Sequence, residues 1–229
     1  MNFTAKRVYV LLAACVAFGV LLQGCGKKED EGGSGGNRET RVPIKTSLPD
    51  GTDPTQARNL TFAQLAAMPD PPGVQKNDPR YDATRVPAFP NPLNLKEGDV
   101  VRVAGYLQVV TYMGDGDYNF HFSATPDSPD NYIVCEVPDD DDLADKNLRP
   151  LVIAARNALK SHALNGGEPS KQGSKISPAP YVEITGQLYY SDTHASGDAI
   201  GPDRQGLHRA SNWQIHPGLY INFAAKPTS

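Results

Sequence analysis

The chain has 229 residues, including 21 glycines and 20 prolines. These two residue types make up about 18% of the chain, against about 12% in an average protein, and this excess of turn formers argues against a helical bundle. The formal net charge is −4, and beyond residue 24 the chain carries 20 basic and 26 acidic residues. An acidic protein repels phosphate groups, so we expect no nucleic-acid partner.

The first 24 residues have the organisation of a secretory signal. Lys6 and Arg7 form a basic start, and an almost unbroken apolar run follows over residues 8–22. About 15 apolar residues suit a signal peptide, whereas a membrane-spanning helix needs about 20. The motif Leu22-Gln23-Gly24-Cys25 comes directly after this run and resembles the lipobox of bacterial lipoproteins.

The lipobox resemblance implies that the signal peptide, residues 1–24, is removed and that Cys25 becomes an acylated N-terminus. Acyl chains such as palmitate would then anchor the protein to a membrane of the bacterial cell envelope. Gly26 follows the cysteine, and by the sorting rule of that family this implies the outer membrane, with the protein facing the periplasm or the exterior.

We expect residues 25–58 to form a lipidated, disordered tether. The stretch 26–36 has no apolar side chain and cannot offset the entropy of ordering.

Once Cys15 is cleaved off and Cys25 is acylated, Cys135 is the remaining cysteine, so the sequence predicts no disulfide within the mature chain. Cys135 lies in an apolar run, which predicts a buried and unreactive thiol.

Residues 59–95 are predicted to hold a short helix and a proline-rich extended segment. Thr61 and Gln64 have the spacing of a capping box, and Pro69 ends the helix. The remaining residues, 96–229, are predicted to form the folded domain that carries the function.

Five segments of this domain are predicted to be strands; four place apolar side chains on one face, and the third is mainly an apolar run. They cover residues 100–113, 118–123, 132–137, 181–190 and 213–223. Between the third and fourth strands, apolar residues recur at helical spacing from Leu148 to Leu159, and Asn165-Gly166-Gly167 ends the helix. The acidic run 139–142 precedes this helix, and we interpret it as favouring the helix N-terminus rather than as a calcium loop.

This order of elements resembles the OB-fold, a Greek-key barrel with a helix between its third and fourth strands. The resemblance covers about residues 96–224, and Gly105 at the midpoint of the first strand fits the bend that this fold requires. We therefore predict a mainly β protein, with a five-stranded OB-like barrel and one helix between strands 3 and 4, after a disordered tether.

Four polar residues are candidates for a ligand-binding site. OB barrels usually bind ligands on the face of strands two and three, beside the loop between strands four and five. His121, Glu136 and His216 lie on the predicted outer face of strands two, three and five, and the strand order 1-2-3-5-4 makes those strands neighbours. His194 belongs to the long loop that also carries Asp192, Asp198, Asp203 and His208.

Imidazole and carboxylate groups are ligands of zinc and iron, so His121, Glu136 and His216 are candidate ligands of a divalent transition metal ion. The alternative is that each histidine is a solvated or hydrogen-bonding side chain on the barrel exterior. A shift of one residue in a strand would reverse the faces.

Two further motifs carry looser resemblances. Gln214-Ile215-His216-Pro217 is similar to the Glu-Ile-His-Pro ending of some uncharacterised bacterial exported domains. Those domains also carry Asp-x-His on an early strand, Glu before Pro on the next strand, and a late-loop histidine. Glu136-Val137-Pro138 and His194 match this pattern, whereas Gln214 replaces the acid and His121 follows Asp117 two residues late. Their function is not established, so the resemblance implies no activity.

Asp115-Gly116-Asp117 is similar to a turn of micrococcal-type nucleases, in which a nearby strand supplies an arginine. Residues 118–137 contain no arginine or lysine, so we interpret the motif as a hairpin turn.

Two functions remain open from the sequence. The first is an envelope lipoprotein whose barrel is a binding module for a partner protein, a glycan or a small or cationic ligand. The second is a metal-dependent, phosphoesterase-like hydrolase that uses His121, Glu136, His194 and His216 and a metal-activated water. The sequence has no Gly-x-Ser-x-Gly motif and no phosphate loop, which favours the binding module over an enzyme.

Overall fold

A computed structural model describes residues 41–127, 131–194 and 208–225. They belong to one folded unit, Gly36–Ser229. Residues 1–40, which include the predicted signal peptide, Cys25 and part of the predicted tether, lie outside the described residues, as do Asp198 and Asp203. Within the described part, no helix has both the length and the apolar character needed to cross a membrane.

The described part contains seven strands and three α-helices. In chain order they are α1 (Val42–Lys45), β1 (Arg58–Leu60), α2 (Phe62–Ala66), β2 (Val100–Tyr112), β3 (Tyr118–Ser123), β4 (Tyr132–Val137), α3 (Arg149–Ala163), β5 (Ser174–Lys175), β6 (Tyr181–Tyr190) and β7 (Trp213–Phe223). Short 3-10 helices cover Pro79–Tyr81, Lys146–Leu148 and Asp192–His194.

Five of these strands close into a barrel, which confirms the predicted fold. The strand order is β2-β3-β4-β7-β6, and β6 pairs with β2 to complete the ring. The β4–β7 pair is parallel, and the other four pairs are antiparallel. The helix α3 lies between the third and fourth barrel strands, as the sequence predicts.

The long strand β2 closes the barrel because it bends. Its residues 106–112 pair with β3, and residues 100–106 pair with β6. A Cβ atom on Gly105, at the junction, would lie 2.6 Å from the carbonyl oxygen of Ser123. The two strands can approach this closely only because the residue is glycine.

The core fills the barrel and extends beneath α3. Alternating residues of the strands point inward, among them Phe120, Phe122, Ile133 and Trp213, and all four are fully buried. The buried face of α3 packs chiefly on β7 and covers the barrel on that side.

Residues 41–58, which the sequence analysis assigned to the tether, carry α1 and the start of β1. Arg41 and Ile44 are buried, and β1 adds a short parallel strand to the edge of β2. At the next helix both hydrogen bonds of the Thr61–Gln64 capping box are present. Residues 41–58 therefore pack against the barrel, and the prediction of a disordered tether is wrong for this part of the chain.

Candidate functional site

The turn between β2 and β3 presents the first carboxylate of the site. Asp115 Oδ1 accepts a hydrogen bond from the Asp117 backbone N–H at 3.1 Å. Gly116 has a φ of +94°, and a Cβ atom there would lie 2.6 Å from Asp139 Oδ2, so the turn requires glycine. Asp117 Oδ1 accepts a hydrogen bond from the Asp139 backbone N–H at 2.8 Å, which fixes the orientation of the Asp117 carboxylate.

The second carboxylate comes from the end of strand β4. Glu136 on β4 lies directly opposite Asn119 on β3, and Asn119 Nδ2 donates a hydrogen bond to Glu136 Oε1 at 2.6 Å. On the other side of β4, Cys135 pairs with Ile215 of β7. This register places the next residues of the two strands, Glu136 and His216, side by side.

The imidazole of His216 lies between the two carboxylates and is fully buried. Its Nδ1 lies 2.9 Å from Glu136 Oε2, and its Nε2 lies 3.6 Å from Asp117 Oδ2. Neither ring nitrogen makes a hydrogen bond of acceptable geometry, although both carboxylates are close. The Tyr189 ring packs against the imidazole in an edge-to-face arrangement, with the ring centroids 5.7 Å apart.

A lysine from α1 approaches the same place. Lys45 Nζ lies 3.9 Å from Glu136 Oε2 and 5.9 Å from the centroid of the Tyr189 ring. Asp115 is within electrostatic range of Asp117, Glu136 and Lys45. We call Lys45, Asp115, Asp117, Glu136 and His216 the His216 cluster. With the imidazole protonated, its three carboxylates exceed its two cations by one charge.

Burial and charge shift the pKa values of this cluster in opposite directions. Burial raises the pKa of Glu136, but the charges of His216 and Lys45 lower it by more than burial raises it. The pKa of Glu136 is therefore well below its usual range. Burial lowers the pKa of His216, but the charge of Glu136 and the contacts with Asp117 and Glu136 outweigh burial and raise it. Burial and the charge of Asp117 raise the pKa of Asp115. The cluster therefore favours a charged Glu136 beside a protonated imidazole.

Asp117, Glu136 and His216 form the group of candidate metal ligands that the described residues contain. Each offers one ligand atom, and these atoms all lie within 4.8 Å of one another. One imidazole and two carboxylates can hold a divalent ion, bind an organic cation, or move a proton between the ring and an acid.

Of the residues predicted from the sequence, the structure brings Glu136 and His216 together but leaves His121 out of this group. His121 is buried and stacks on Tyr132, with the ring centroids 4.1 Å apart. It lies on the predicted face of β3, but its register partner on β4 is Val134. His194 ends a 3-10 helix, and its side chain lies outside the described part of the chain.

Asp117 and Lys45 lie at the site but are not among the site residues predicted from the sequence. Asp117 could have been found through the Asp-x-His pattern of the exported domains that the chain resembles. Asp117 stands at the position of the acid in that pattern, and Asn119 stands at the position of the histidine. Asn119 binds Glu136, so that position does reach the site. Lys45 had no such signal, because it lies in the segment predicted as a tether.

Comparisons with known proteins add little to this description. No known protein-family model and no curated protein matches the chain. Among solved structures, the chain is similar to the asparaginyl-tRNA synthetase of Entamoeba histolytica, with 10% identity over 75% of this chain and a TM-score of 0.31. The same enzyme in complex with asparaginyl-adenylate gives 12% identity over 63% of this chain and a TM-score of 0.28. The matched regions span 24% and 25% of the synthetase chains, about a quarter of their length.

Proposed function

We propose that the protein is a lipid-anchored lipoprotein of the bacterial cell envelope, and that its OB-like barrel is a binding module for a cationic ligand. The anchor is supported by the basic and apolar start of the chain and by the lipobox that ends at Cys25. The binding function is supported by the closed barrel and by the His216 cluster.

The observation that carries the binding proposal is the excess of negative charge around a buried imidazole. Asp115, Asp117 and Glu136 face one lysine and one histidine, and His216 has no exposed surface. A buried charge without a full complement of partners is costly, so a protein that keeps one gains most from a ligand of opposite charge. The ligand class that this cluster favours is therefore a cation.

The anchor is tested by labelling and fractionation of cells that express the full chain. We expect the wild-type protein to incorporate labelled palmitate and to partition with membranes. The Cys25→Ser variant should incorporate no label and leave the membrane fraction, because the acylated thiol is absent. An unlabelled wild-type protein that partitions like this variant would show that the anchor proposal is wrong.

The binding module is tested by the thermal unfolding temperature (Tm) of the full mature chain with a panel of cations. The panel contains divalent transition metal ions, calcium, spermidine and a short lysine peptide. A ligand at 100 times its Kd stabilises by about 2.7 kcal/mol, which raises Tm by roughly 5–10 °C in a domain of this size. We expect at least one cation to do so, and Glu136→Gln to abolish the shift.

The matched control for this experiment is Asp140→Asn, which removes an acid that pairs with Arg149 outside the cluster. This control should keep the full Tm shift. If no cation in the panel raises Tm, or if the control loses the shift as Glu136→Gln does, the His216 cluster is not a cation-binding site.

A metal-dependent hydrolase remains the second candidate, because three ligands leave a coordination position for a water molecule. The test is hydrolysis of bis(p-nitrophenyl) phosphate by the metal-loaded chain. The hydrolase predicts turnover that Glu136→Gln abolishes. Turnover no faster than that of the metal ion in buffer would exclude the phosphoesterase activity and leave the binding module.

A further inference from the structure

We propose that Asp117, Glu136 and His216 form a binding site for one divalent transition metal ion, of the zinc, iron or manganese class. This inference rests on the proposed function and names the cation that the barrel binds. The ligand set also differs from the one that the sequence suggested, since Asp117 takes the place of His121.

The distances between the three side chains fit a shared ion. Ligand atoms lie about 2.0–2.2 Å from zinc, so two ligands of one tetrahedral ion are about 3.4 Å apart. His216 Nδ1 lies 2.9 Å from Glu136 Oε2, and the candidate atoms of all three residues lie within 4.8 Å of one another. These separations, from 2.9 Å for this pair to at most 4.8 Å within the set, bracket the value of about 3.4 Å that a shared ion requires.

The ring nitrogens of His216, which make no well-formed hydrogen bond, are a second and independent observation in favour of a bound ion. Buried polar atoms in proteins almost always have a hydrogen-bond partner, yet neither ring nitrogen of the fully buried His216 has one of acceptable geometry. Both nitrogens nevertheless lie close to the carboxylates of Glu136 and Asp117, at 2.9 and 3.6 Å. An ion bound to one nitrogen would satisfy it and would explain why carboxylates surround the ring.

The hydrogen bonds around the site leave one oxygen of each carboxylate for the ion. Glu136 uses Oε1 to accept the bond from Asn119 and turns Oε2 to His216. Asp117 uses Oδ1 to accept the bond from the Asp139 backbone and turns Oδ2 to His216. Carboxylates that bind metals are commonly held in this way by a hydrogen bond to the other oxygen.

The charges favour a divalent ion over an organic monovalent cation. Asp115, Asp117 and Glu136 carry three negative charges, and Lys45 carries one positive charge. A divalent ion bound to a neutral His216 therefore brings the cluster to zero. Calcium and magnesium prefer ligands that are all oxygen, whereas a mixed set of imidazole and carboxylates suits zinc, iron and manganese.

The experiment measures metal binding by the full mature chain in detergent. The protein is stripped with a chelator and titrated with Zn²⁺ and, separately, with Co²⁺, whose visible spectrum reports coordination by protein nitrogen and oxygen. We expect one ion per chain and a change in the Co²⁺ spectrum. Asp117→Asn, Glu136→Gln and His216→Gln should each weaken binding at least about tenfold, the lower end of the loss seen when even a supporting partner of a metal site is removed.

The matched control is His121→Gln, which alters the histidine that the sequence suggested but that lies outside the ligand group. We expect this variant to bind the ion as the wild type does. Asp117→Asn keeps the inference testable if His216→Gln does not fold, because the asparagine oxygen can still accept the bond from Asp139. Circular dichroism of the metal-free variants verifies their folding.

Two results would overturn the metal site. The first is a wild-type chain that binds no transition metal ion, and the second is a loss of binding in His121→Gln as large as in Asp117→Asn. If spermidine or the lysine peptide still raises Tm while Zn²⁺ and Co²⁺ do not bind, the metal site is wrong and the broader cation-binding function stands. If nothing in the panel binds, both are wrong.

Discussion

Among the buried charges of the described residues, two groups differ in how completely they are paired. In the first group, Arg41 binds Glu97, and neither side chain has any exposed surface. The second group is the His216 cluster, where negative charges outnumber positive ones. Both groups are costly to bury, so the difference lies in what compensates each of them.

Every polar atom of the Arg41–Glu97 pair is used. The guanidinium donates to the carbonyl oxygens of Tyr81, Thr84 and Tyr190 as well as to Glu97. Both oxygens of Glu97 also accept backbone N–H groups, from Val86 and Tyr190. By contrast, neither ring nitrogen of His216 makes a well-formed hydrogen bond. A complete network stabilises the fold by itself, whereas an incomplete one is suited to completion by a ligand.

The largest effect that this comparison predicts is a loss of folding stability when the Arg41–Glu97 pair is broken. Arg41→Met should lower the free energy of unfolding by about 3–5 kcal/mol, because it leaves the Glu97 carboxylate buried without its cation. Urea denaturation monitored by fluorescence measures the change. A loss below about 1 kcal/mol would mean that the pair has no greater structural weight than a surface ion pair.

The next effect concerns the turn that presents Asp117. Gly116→Ala should cost about 1–3 kcal/mol, because the residue has a positive φ and the new methyl group would meet the Asp139 side chain. Gly51→Ala is a matched control, because Gly51 also has a positive φ but no atom lies within 4 Å of the added Cβ. The control should cost less and should leave cation binding unchanged, whereas Gly116→Ala should weaken it. Equal costs for the two variants would contradict a steric role for Asp139.

The pH dependence of stability distinguishes the two groups further. The pKa of His216 is raised in the folded state, so its contribution to stability is fully present below the unfolded pKa near 6.5 and is lost as pH rises through the folded pKa. The pKa of Glu136 is lowered, so its contribution is present above its unfolded value and is lost as pH falls toward the folded value.

We therefore expect the metal-free protein to be more stable near pH 6 than at pH 9 in urea unfolding. Glu136→Gln should flatten this difference, because the charge that raises the pKa of His216 is then absent. A profile that stays unchanged in Glu136→Gln would contradict the coupling of these two residues.

The smallest effect is expected for an exposed pair. Arg149 contacts Asp140 and Asp141 at 2.9 Å at the start of α3, and about half of its side chain is exposed. Arg149→Met should change the free energy of unfolding by less than about 1 kcal/mol. A loss as large as that in Arg41→Met would show that the burial of an ion pair does not determine how much it contributes to the free energy of unfolding.

The barrel was predictable because its strands follow a local pattern. The observed bounds Tyr181–Tyr190 and Trp213–Phe223 coincide with runs that place apolar side chains on one face, and Tyr132–Val137 coincides with an apolar run. The helix α3 is recognisable by the change to helical spacing and by the glycines that follow it. Local periodicity carries this information, so no knowledge of the tertiary contacts was needed.

The site was predictable only in part, because alternation gives the face of a strand but not the register between strands. His121 and Asn119 share a face of β3, and only the pairing with β4 shows that Asn119 stands opposite Glu136. Lys45 and Arg41 reach the barrel through tertiary packing of a segment without a periodic pattern. Such contacts leave no local trace in the sequence.

The packing of Arg41–Thr46 on the barrel has a practical consequence for the preparation of shortened proteins. A recombinant fragment that starts at residue 59 would match the predicted domain boundary, but it would lack both Arg41 and Lys45. Glu97 would lose its guanidinium, the backbone N–H groups of Ala144 and Asp145 would lose their acceptors on Thr46, and the His216 cluster would lose a cation. A soluble fragment intended for crystallisation or titration should therefore begin before Arg41.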